Sequence, residues 1–195
     1  MMLLWTRDER PCFATGFAYG LGLMGTGVSW LYVSIAQFGD LGWLFPLLIT
    51  IGFVALAALY YGLLGWLAGR LQPGRLVVLV LWLPALWVTV EWLRGWFLTG
   101  FPWLQLGYAV IDTPLAAYGP LLGVLGLSWM TVLSAGLLVL SLKDAARRWY
   151  GLAGLMLIWG GGWALNQVDW TRANGEPLQV ALVQGNIPQA EKWLP

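Results

Sequence analysis

The sequence of 195 residues contains no histidine and one cysteine, Cys12. Without histidine, catalytic triads built on an imidazole base and metal sites with imidazole ligands are excluded. A single cysteine allows neither an intrachain disulfide nor a cluster of thiolate ligands. We therefore predict that the chain holds no metal ion and no cofactor.

Charge is also scarce. Charged residues make up 10% of the sequence and hydrophobic residues 59%, whereas about a quarter of the residues of a soluble domain are charged. The chain has ten Lys and Arg residues and nine Asp and Glu residues, which gives a net charge of +1. This composition predicts an integral membrane protein whose partners include the membrane and exclude nucleic acid.

Long uncharged runs divide most of the chain. A membrane-spanning helix needs roughly 20 apolar residues, and the runs predict an all-α polytopic membrane bundle of about five helices over residues 1–168. Gly16-x-x-x-Gly20 in the first span predicts close helix packing, and Pro84 predicts a kink in the third. The spans are about 13–36, 45–69, 76–97, 121–142 and 149–166.

The positive charges predict the orientation. If the spans alternate, seven Lys and Arg residues lie on one side and three on the other. Because short cytoplasmic loops carry the excess of positive charge, loops 70–75 and 143–148 are expected in the cytoplasm. The aromatic loop, defined as residues 98–120, and the C-terminal segment are then expected outside, facing the periplasm of a bacterial inner membrane.

The third span ends in the most informative stretch. Glu91 and Arg94 are three positions apart, so they share one helix face. They form either a structural ion pair that fixes the helix end or a polar site where Arg94 meets a phospholipid phosphate. In the broken segment that follows, Gln105 either ties the loop to a neighbouring domain or lines a lipid path together with Trp103.

The character of the chain changes after Val168. Residues 169–177 are polar and contain the turn signal Asn174-Gly175, so they are predicted to form a linker. Leu178–Val183 is a short apolar run between Pro177 and Gly185 and predicts a buried strand. Since one strand is not stable alone, we expect residues 178–195 to be the truncated start of a further α/β domain.

Three segments in order carry a family resemblance. Glu91-x-x-Arg94-Gly95, followed by Thr99-Gly-Phe-Pro-Trp-Leu-Gln105 and Gly107-Tyr108, resembles the signature of bacterial apolipoprotein N-acyltransferases. Gly25-x-Gly27-x-x-Trp30 resembles a segment after an earlier helix of that family. Val183-Gln-Gly-Asn-Ile-Pro-Gln189 with Lys192-Trp193 resembles the opening of its nitrilase-like, carbon-nitrogen hydrolase domain. The resemblance covers about Pro11 to Pro195.

The resemblance implies an acyltransferase of eight spans with an outward nitrilase-like domain that carries a Glu-Lys-Cys triad. The triad cysteine takes an acyl chain from phosphatidylethanolamine as a thioester and passes it to the N-terminal cysteine amine of a diacylated apolipoprotein. About two spans before Pro11 and the three triad positions have no counterpart here. We therefore expect no catalytic residue in this chain and no activity from it alone.

The substrate-binding candidates are Glu91, Arg94, Trp103, Gln105 and Trp193, the last because it resembles a tryptophan near the family's active site. Cys12 is not a candidate nucleophile, because it precedes the first span on the cytoplasmic side without an activating base. The alternative interpretation is a non-enzymatic, transporter-like or scaffolding bundle with Glu91 and Arg94 as a coupling site. The polar linker and strand favour the acyltransferase.

Overall fold

A computed structural model describes residues 13–39, 42–70, 75–172, 174–188 and 191–192 of the chain. Cys12 and Trp193 lie outside these residues. The predicted helical bundle is confirmed. The α-helices are α1 Phe13–Gly27, α2 Trp30–Phe38, α3 Leu44–Arg70, α4 Arg75–Val77, α5 Leu83–Trp96, α6 Gly119–Lys143 and α7 Arg148–Leu165.

The first predicted span, 13–36, is not one continuous helix. Helix α1 ends before a break of two residues, and the axis of α2 is bent from it by 52°. The Thr26 hydroxyl donates to the Gly22 carbonyl oxygen at 2.8 Å, and the Ser29 hydroxyl donates to that of Thr26 at 3.3 Å. Hydroxyl groups that bond to helix carbonyls, combined with glycine, are known causes of such bends.

Helices α1 and α3 pack with their backbones close together. A Cβ atom on Gly16 would collide with the Tyr61 carbonyl, and one on Gly20 would lie 2.8 Å from the Cα atom of Ala58. The close packing predicted from the two glycines is therefore confirmed. The contact surrounds a small core of fully or nearly fully buried side chains: Met24, Val28, Ala57 and Tyr61.

Just before Pro84, where the sequence predicts a kink, the helix contains a π-helical segment, Val78–Trp82. The Leu83 amide donates to the carbonyl of Val78, five residues earlier. Proline has no amide hydrogen, and its ring crowds the carbonyl four residues before it, which favours a wider turn at this point. Pro84 then lies in the first turn of α5, where a missing amide costs little.

The aromatic loop is irregular, as predicted, and it contains three short 3₁₀ turns, Phe97–Thr99, Leu106–Val110 and Pro114–Tyr118. Helix α6 follows from Gly119, two residues before the predicted start. Gly123, with a φ of +65°, breaks the first turn of α6, so its regular part begins after that glycine. The loop therefore occupies the bundle end at which α5 ends and α6 begins.

Helices α6 and α7 are joined by a tight turn. Arg147 forms an ion pair with Asp144 at 2.7 Å, and this hydrogen bond lowers the pKa of the Asp144 carboxyl group. Helix α7 returns along α6, where the Trp159 indole donates to Ser134 at 3.2 Å and the Tyr118 hydroxyl donates to the Ile158 carbonyl at 2.9 Å. These bonds connect α7 to both α6 and the aromatic loop.

The number of spans agrees only in part with the predicted five. Within the described residues, three helical stretches are long and apolar enough to cross a membrane, namely Leu44–Arg70, Val78–Thr99 and Pro114–Lys143. A fourth is added if the bent pair α1 and α2 counts as one span. Helix α7 corresponds to the predicted span 149–166. It has 18 residues and is not among the helices that meet the criterion of length and hydropathy.

The strand predicted at Leu178–Val183 is not formed in the described part of the chain. The described residues from Asp169 to Pro188 contain no regular secondary structure, and the side chains of Leu182 and Val183 are almost fully exposed. A strand needs partners to satisfy its backbone hydrogen bonds, and the described part of the chain supplies none here. The expected α/β domain is therefore not tested by this structure.

Candidate functional site

The site is centred on the last two turns of α5, where two charged side chains are buried. Glu91 is 0% exposed and Arg94 is 2% exposed. Burying a charge in an apolar environment is costly unless other groups compensate it. Both side chains point toward the first half of the aromatic loop, so the prediction that they share one helix face is confirmed by their contacts with that loop.

Glu91 connects α5 to the loop through one oxygen atom. Its Oε1 atom accepts a hydrogen bond from the Trp87 indole at 2.8 Å and another from the Leu106 backbone amide at 2.7 Å. Hydrogen bonds to an ionised acceptor are stronger than neutral ones. The carboxylate therefore fixes the start of the second 3₁₀ turn against the helix.

Arg94 holds the same loop through its carbonyl groups. Its Nη1 atom donates to the carbonyl oxygens of Trp103 and of Phe101, the latter at 3.3 Å, and its Nη2 atom donates to that of Leu104 at 3.4 Å. In the opposite direction, the Phe101 amide donates to the Arg94 carbonyl at 2.7 Å. One guanidinium group thus donates hydrogen bonds to three loop carbonyls that have no partner within a helix.

Of the two alternatives for Glu91 and Arg94, the direct ion pair is not formed. Arg147 and Asp144 form an ion pair at 2.7 Å, whereas Glu91 and Arg94 do not form one. Glu91 accepts hydrogen bonds from the Leu106 amide and the Trp87 indole, and Arg94 donates to loop carbonyls. Polar groups of the loop and of α5 therefore compensate the two charges. The structural role expected for the pair is therefore carried out by two separate sets of hydrogen bonds.

The anchored loop has a strained backbone. Leu98, Thr99 and Leu104 have positive φ angles of 52°, 73° and 57°. Such angles are uncommon for residues with side chains and cost on the order of 1–3 kcal/mol each. Gly100 has a φ of 81°, and a Cβ atom there would collide with the Gly95 carbonyl. The hydrogen bonds to Arg94 and Glu91 hold this conformation in place.

Aromatic rings cover the anchored loop. Phe101 and Trp103 stack at 5.3 Å, and Phe101 also packs edge-on against Phe53 of α3 at 4.8 Å. Trp103 lies 6.2 Å from Trp30 of α2 and is 54% exposed. The predicted candidate Trp103 therefore lies at the surface of the site, with its backbone held by Arg94.

Gln105, the other predicted loop candidate, is partly buried. Its backbone carbonyl accepts from the Tyr108 amide at 3.1 Å. Its side-chain amide makes no hydrogen bond to the rest of the described chain. Two residues later, the Gly107 amide donates to the fully buried Ser128 hydroxyl of α6 at 2.8 Å. The loop is thus connected to α5 and α6 beside Gln105.

Two apolar cavities adjoin the site. One, of about 270 Å³, lies between α3 and the loop, and Arg94 is its charged lining residue; the apolar lining includes Phe53, Leu56, Phe97 and Phe101. The other, of about 290 Å³, lies between Tyr19, Trp87, Leu106 and Thr131. Nowhere in the described ranges do three or more acidic or cysteine side chains cluster in a way that could hold a metal ion.

Sequence reasoning missed Tyr61, Trp87 and Ser128, which complete the site. Tyr19, Tyr61 and Trp87 form an aromatic group whose ring centroids lie 5.5–6.0 Å apart. Each of these residues lies inside an apolar helix, where tyrosine, tryptophan and serine are ordinary. The spacing of Trp87 and Glu91, four positions apart on one helix, was the one signal that could have identified a partner.

Comparisons with known proteins agree with the resemblance seen in the sequence. The family described as the apolipoprotein N-acyltransferase N-terminal domain matches residues 1–137. A protein named apolipoprotein N-acyltransferase from Nitrosomonas europaea is 42% identical over 207 residues, covering 100% of this chain and 40% of that protein. Proteins of the same name from Photobacterium profundum and Methylococcus capsulatus are 44% and 42% identical, covering 100% and 92% of this chain.

The chain spans less than half the length of these relatives. The chain spans 40% of the Nitrosomonas europaea protein, 38% of the Photobacterium profundum protein and 36% of the Methylococcus capsulatus protein. The match of the family extends over α1 to α5, the aromatic loop and most of α6, and it includes Glu91, Arg94, Trp103 and Gln105.

Proposed function

We propose that this chain, which belongs to the apolipoprotein N-acyltransferase family, forms the membrane part that holds a phospholipid acyl donor for transfer to a lipoprotein. In the proposed reaction, a cysteine thiolate attacks an ester carbonyl of a phosphatidylethanolamine-like donor and forms a thioester. The ester C–O bond breaks, and the lysophospholipid leaves after its alkoxide oxygen takes up a proton. The free amine of the N-terminal cysteine of a diacylated apolipoprotein then attacks that thioester and releases the thiolate. The reacting groups belong to a nitrilase-like domain for which residues 178–195 are the proposed start.

The observation that carries the proposal is the anchored aromatic loop at one end of the bundle. A phospholipid needs apolar volume for its chains beside polar groups for its headgroup. The cavity of about 270 Å³ beside Arg94 supplies both. Since pockets for whole ligands measure about 300–1,000 Å³, this cavity suits part of one acyl chain, with the rest of the lipid remaining in the bilayer.

The proposed roles of the candidates differ. The Nη atoms of Arg94 are already bonded to loop carbonyls, and Glu91 is bonded to Leu106, so both are proposed as positioning residues that shape the site. Trp103 is half-exposed, and the Gln105 amide keeps donor and acceptor capacity. These two are proposed to contact the lipid. Trp193, which lies outside the described residues, is proposed to contact it from the following domain.

The proposed location is the bacterial inner membrane, with the aromatic loop and the C-terminal segment facing the periplasm. The positive-inside rule supports this orientation. Arg70 ends α3, Lys143 ends α6 and Arg148 begins α7, whereas the aromatic loop connects the other ends of α5 and α6. The basic residues and the loop thus occupy opposite ends of these helices.

Acyl transfer by the complete gene product tests the function directly. The purified protein is mixed with labelled phosphatidylethanolamine and a diacylated lipopeptide, and a third, amide-linked acyl chain on the lipopeptide is expected. The 195-residue chain alone is expected to insert in membranes and to transfer nothing. A complete protein that forms no such amide contradicts the proposal, and a hydroxylamine-sensitive acyl adduct on Cys12 contradicts the placement of the chemistry outside this chain.

A matched pair of tryptophans tests the lipid contact. Trp103→Ala in the complete protein is expected to raise the KM for phospholipid with little change in kcat, because it removes binding that ground state and transition state share. Trp149 is similarly exposed at the opposite end of the bundle, so Trp149→Ala is expected to leave both constants unchanged. Equal effects of the two substitutions would argue against the role of Trp103.

A further inference from the structure

Three buried polar side-chain atoms of the bundle have no hydrogen-bond partner among the described residues. They are the Tyr61 hydroxyl, the Oε2 atom of Glu91 and the Nε atom of Arg94. All three side chains are at least nine-tenths buried. Leaving a buried polar group unpaired is costly, and native proteins nearly always satisfy such groups. Three of them on facing helices therefore require a common explanation.

The three groups belong to one neighbourhood. The Tyr61 ring on α3 lies 5.5 Å from the Trp87 ring on α5, and the Trp87 indole donates to the other carboxylate oxygen of Glu91. Glu91 and Arg94 follow Trp87 on the same helix, four and seven positions later. The cavity of about 290 Å³ borders Tyr19 and Trp87, whose rings pack against Tyr61.

The hydrogen-bonding capacity of the three atoms defines the ligand. Arg94 Nε can only donate, Glu91 Oε2 can only accept, and the Tyr61 hydroxyl can do either. The matching molecule must therefore both donate and accept. The charges of Glu91 and Arg94 are opposite, so the neighbourhood has no excess charge to attract an ion, and an anion near Arg94 would also meet the Glu91 carboxylate.

We propose that this neighbourhood is a binding site for one buried water molecule that links α3 to α5. The water accepts a hydrogen bond from Arg94 Nε, donates one to Glu91 Oε2 and forms a third with the Tyr61 hydroxyl. Buried waters typically make about three hydrogen bonds to groups that are otherwise unsatisfied. The site is independent of the proposed acyl transfer, since it depends only on the packing of the bundle.

The proposed water extends the anchoring of the aromatic loop to a further helix. Glu91 and Arg94 connect α5 to the loop, and the water connects the same two side chains to Tyr61 on α3. The water also keeps both groups oriented. With it, both oxygens of the carboxylate and all three nitrogens of the guanidinium group form hydrogen bonds. Loss of the water is expected to weaken the connection of α3 to the loop.

The sign of a stability change tests the site in the complete gene product. Tyr61→Phe removes one hydroxyl group. If that hydroxyl bonds to water, the apparent Tm in lipid nanodiscs is expected to fall by a few degrees. If the hydroxyl is truly unpaired, its removal relieves a desolvation penalty and the Tm rises. Tyr60→Phe, at the partly buried neighbouring position on α3, is the matched control and is expected to change the Tm little.

A structure at a resolution that shows ordered water decides the identity of the ligand. The expected result is a single solvent peak within hydrogen-bond distance of at least two of the three atoms, and its loss in Tyr61→Phe. A rise of the Tm in Tyr61→Phe overturns the proposal. It is also overturned by a direct hydrogen bond between Tyr61 and Glu91, by density larger than one water, or by a dry site.

Discussion

The backbone amide of Leu106 donates a hydrogen bond to the carboxylate of Glu91, fifteen residues earlier, at 2.7 Å. This bond closes the irregular first half of the aromatic loop against the helix from which it departs. The same carboxylate oxygen accepts from Trp87 at 2.8 Å. The loop therefore takes its shape from a helix side chain, and this relationship leads to the first prediction.

Glu91→Ala is expected to destabilise the protein severely. It leaves the Trp87 indole and the Leu106 amide without their acceptor, and each buried unpaired donor costs about 1–3 kcal/mol. Glu91→Gln keeps an acceptor oxygen and is expected to lose less stability. Thermal unfolding of the two variants in nanodiscs checks this order. Equal losses would show that the charge of Glu91 matters and that its hydrogen bonds do not.

Arg94→Ala is expected to lower the activity or the abundance of the complete protein strongly. Removing one member of a buried charged network costs about 3–5 kcal/mol, and three loop carbonyls lose their donor. Arg172→Ala is the control, because Arg172 is exposed in the C-terminal segment. Complementation and protein abundance are measured together. Normal complementation by Arg94→Ala contradicts any role for this residue, and a loss of abundance alone indicates a purely structural one.

Gly16→Ala is expected to separate α1 from α3, because the new Cβ atom would meet the Tyr61 carbonyl of the facing backbone. Gly22→Ala on the same helix is a matched control, since a Cβ atom there meets nothing within 4 Å. Replacing an unconstrained helix glycine with alanine stabilises by roughly 0.5–1 kcal/mol. A lower Tm for Gly16→Ala and an unchanged or higher Tm for Gly22→Ala are expected, and similar values would contradict the close approach.

Single cysteines at positions 113 and 144, each in a Cys12→Ser background, test the orientation. Thr113 lies in the aromatic loop, and Asp144 lies in the turn between α6 and α7. With the outer membrane permeabilised, an impermeant thiol reagent is expected to label position 113. Position 144 is expected to react only after the inner membrane is opened. The reverse pattern would show that the proposed topology is inverted.

The sequence alone predicted those features that depend on local patterns. The uncharged runs located the helices, and the glycines of α1 indicated a close approach. The burial of Glu91 and Arg94 followed from their position in an apolar helix. Family membership also followed from three short motifs in the correct order.

The remaining features depend on contacts between distant residues. No pattern near Glu91 reveals that its partner is the amide of Leu106, and no pattern near Arg94 reveals that its partners are carbonyls. The two oppositely charged side chains suggested an ion pair, but the loop offered each of them better-placed hydrogen bonds. The strand predicted at Leu178–Val183 failed for the related reason that strand formation requires a partner.

The π-helical segment Val78–Trp82 also determines the direction in which the site faces. A wider turn of this kind accommodates one extra residue compared with a continuous α-helix. Each residue of an α-helix turns the chain by about 100°. The extra residue therefore sets the direction, around the helix axis, in which the side chains of α5 point. Without it, Glu91 and Arg94 would be rotated away from the loop by roughly that angle. The direction in which Glu91 and Arg94 point thus depends on a helical turn that ends nine residues before Glu91.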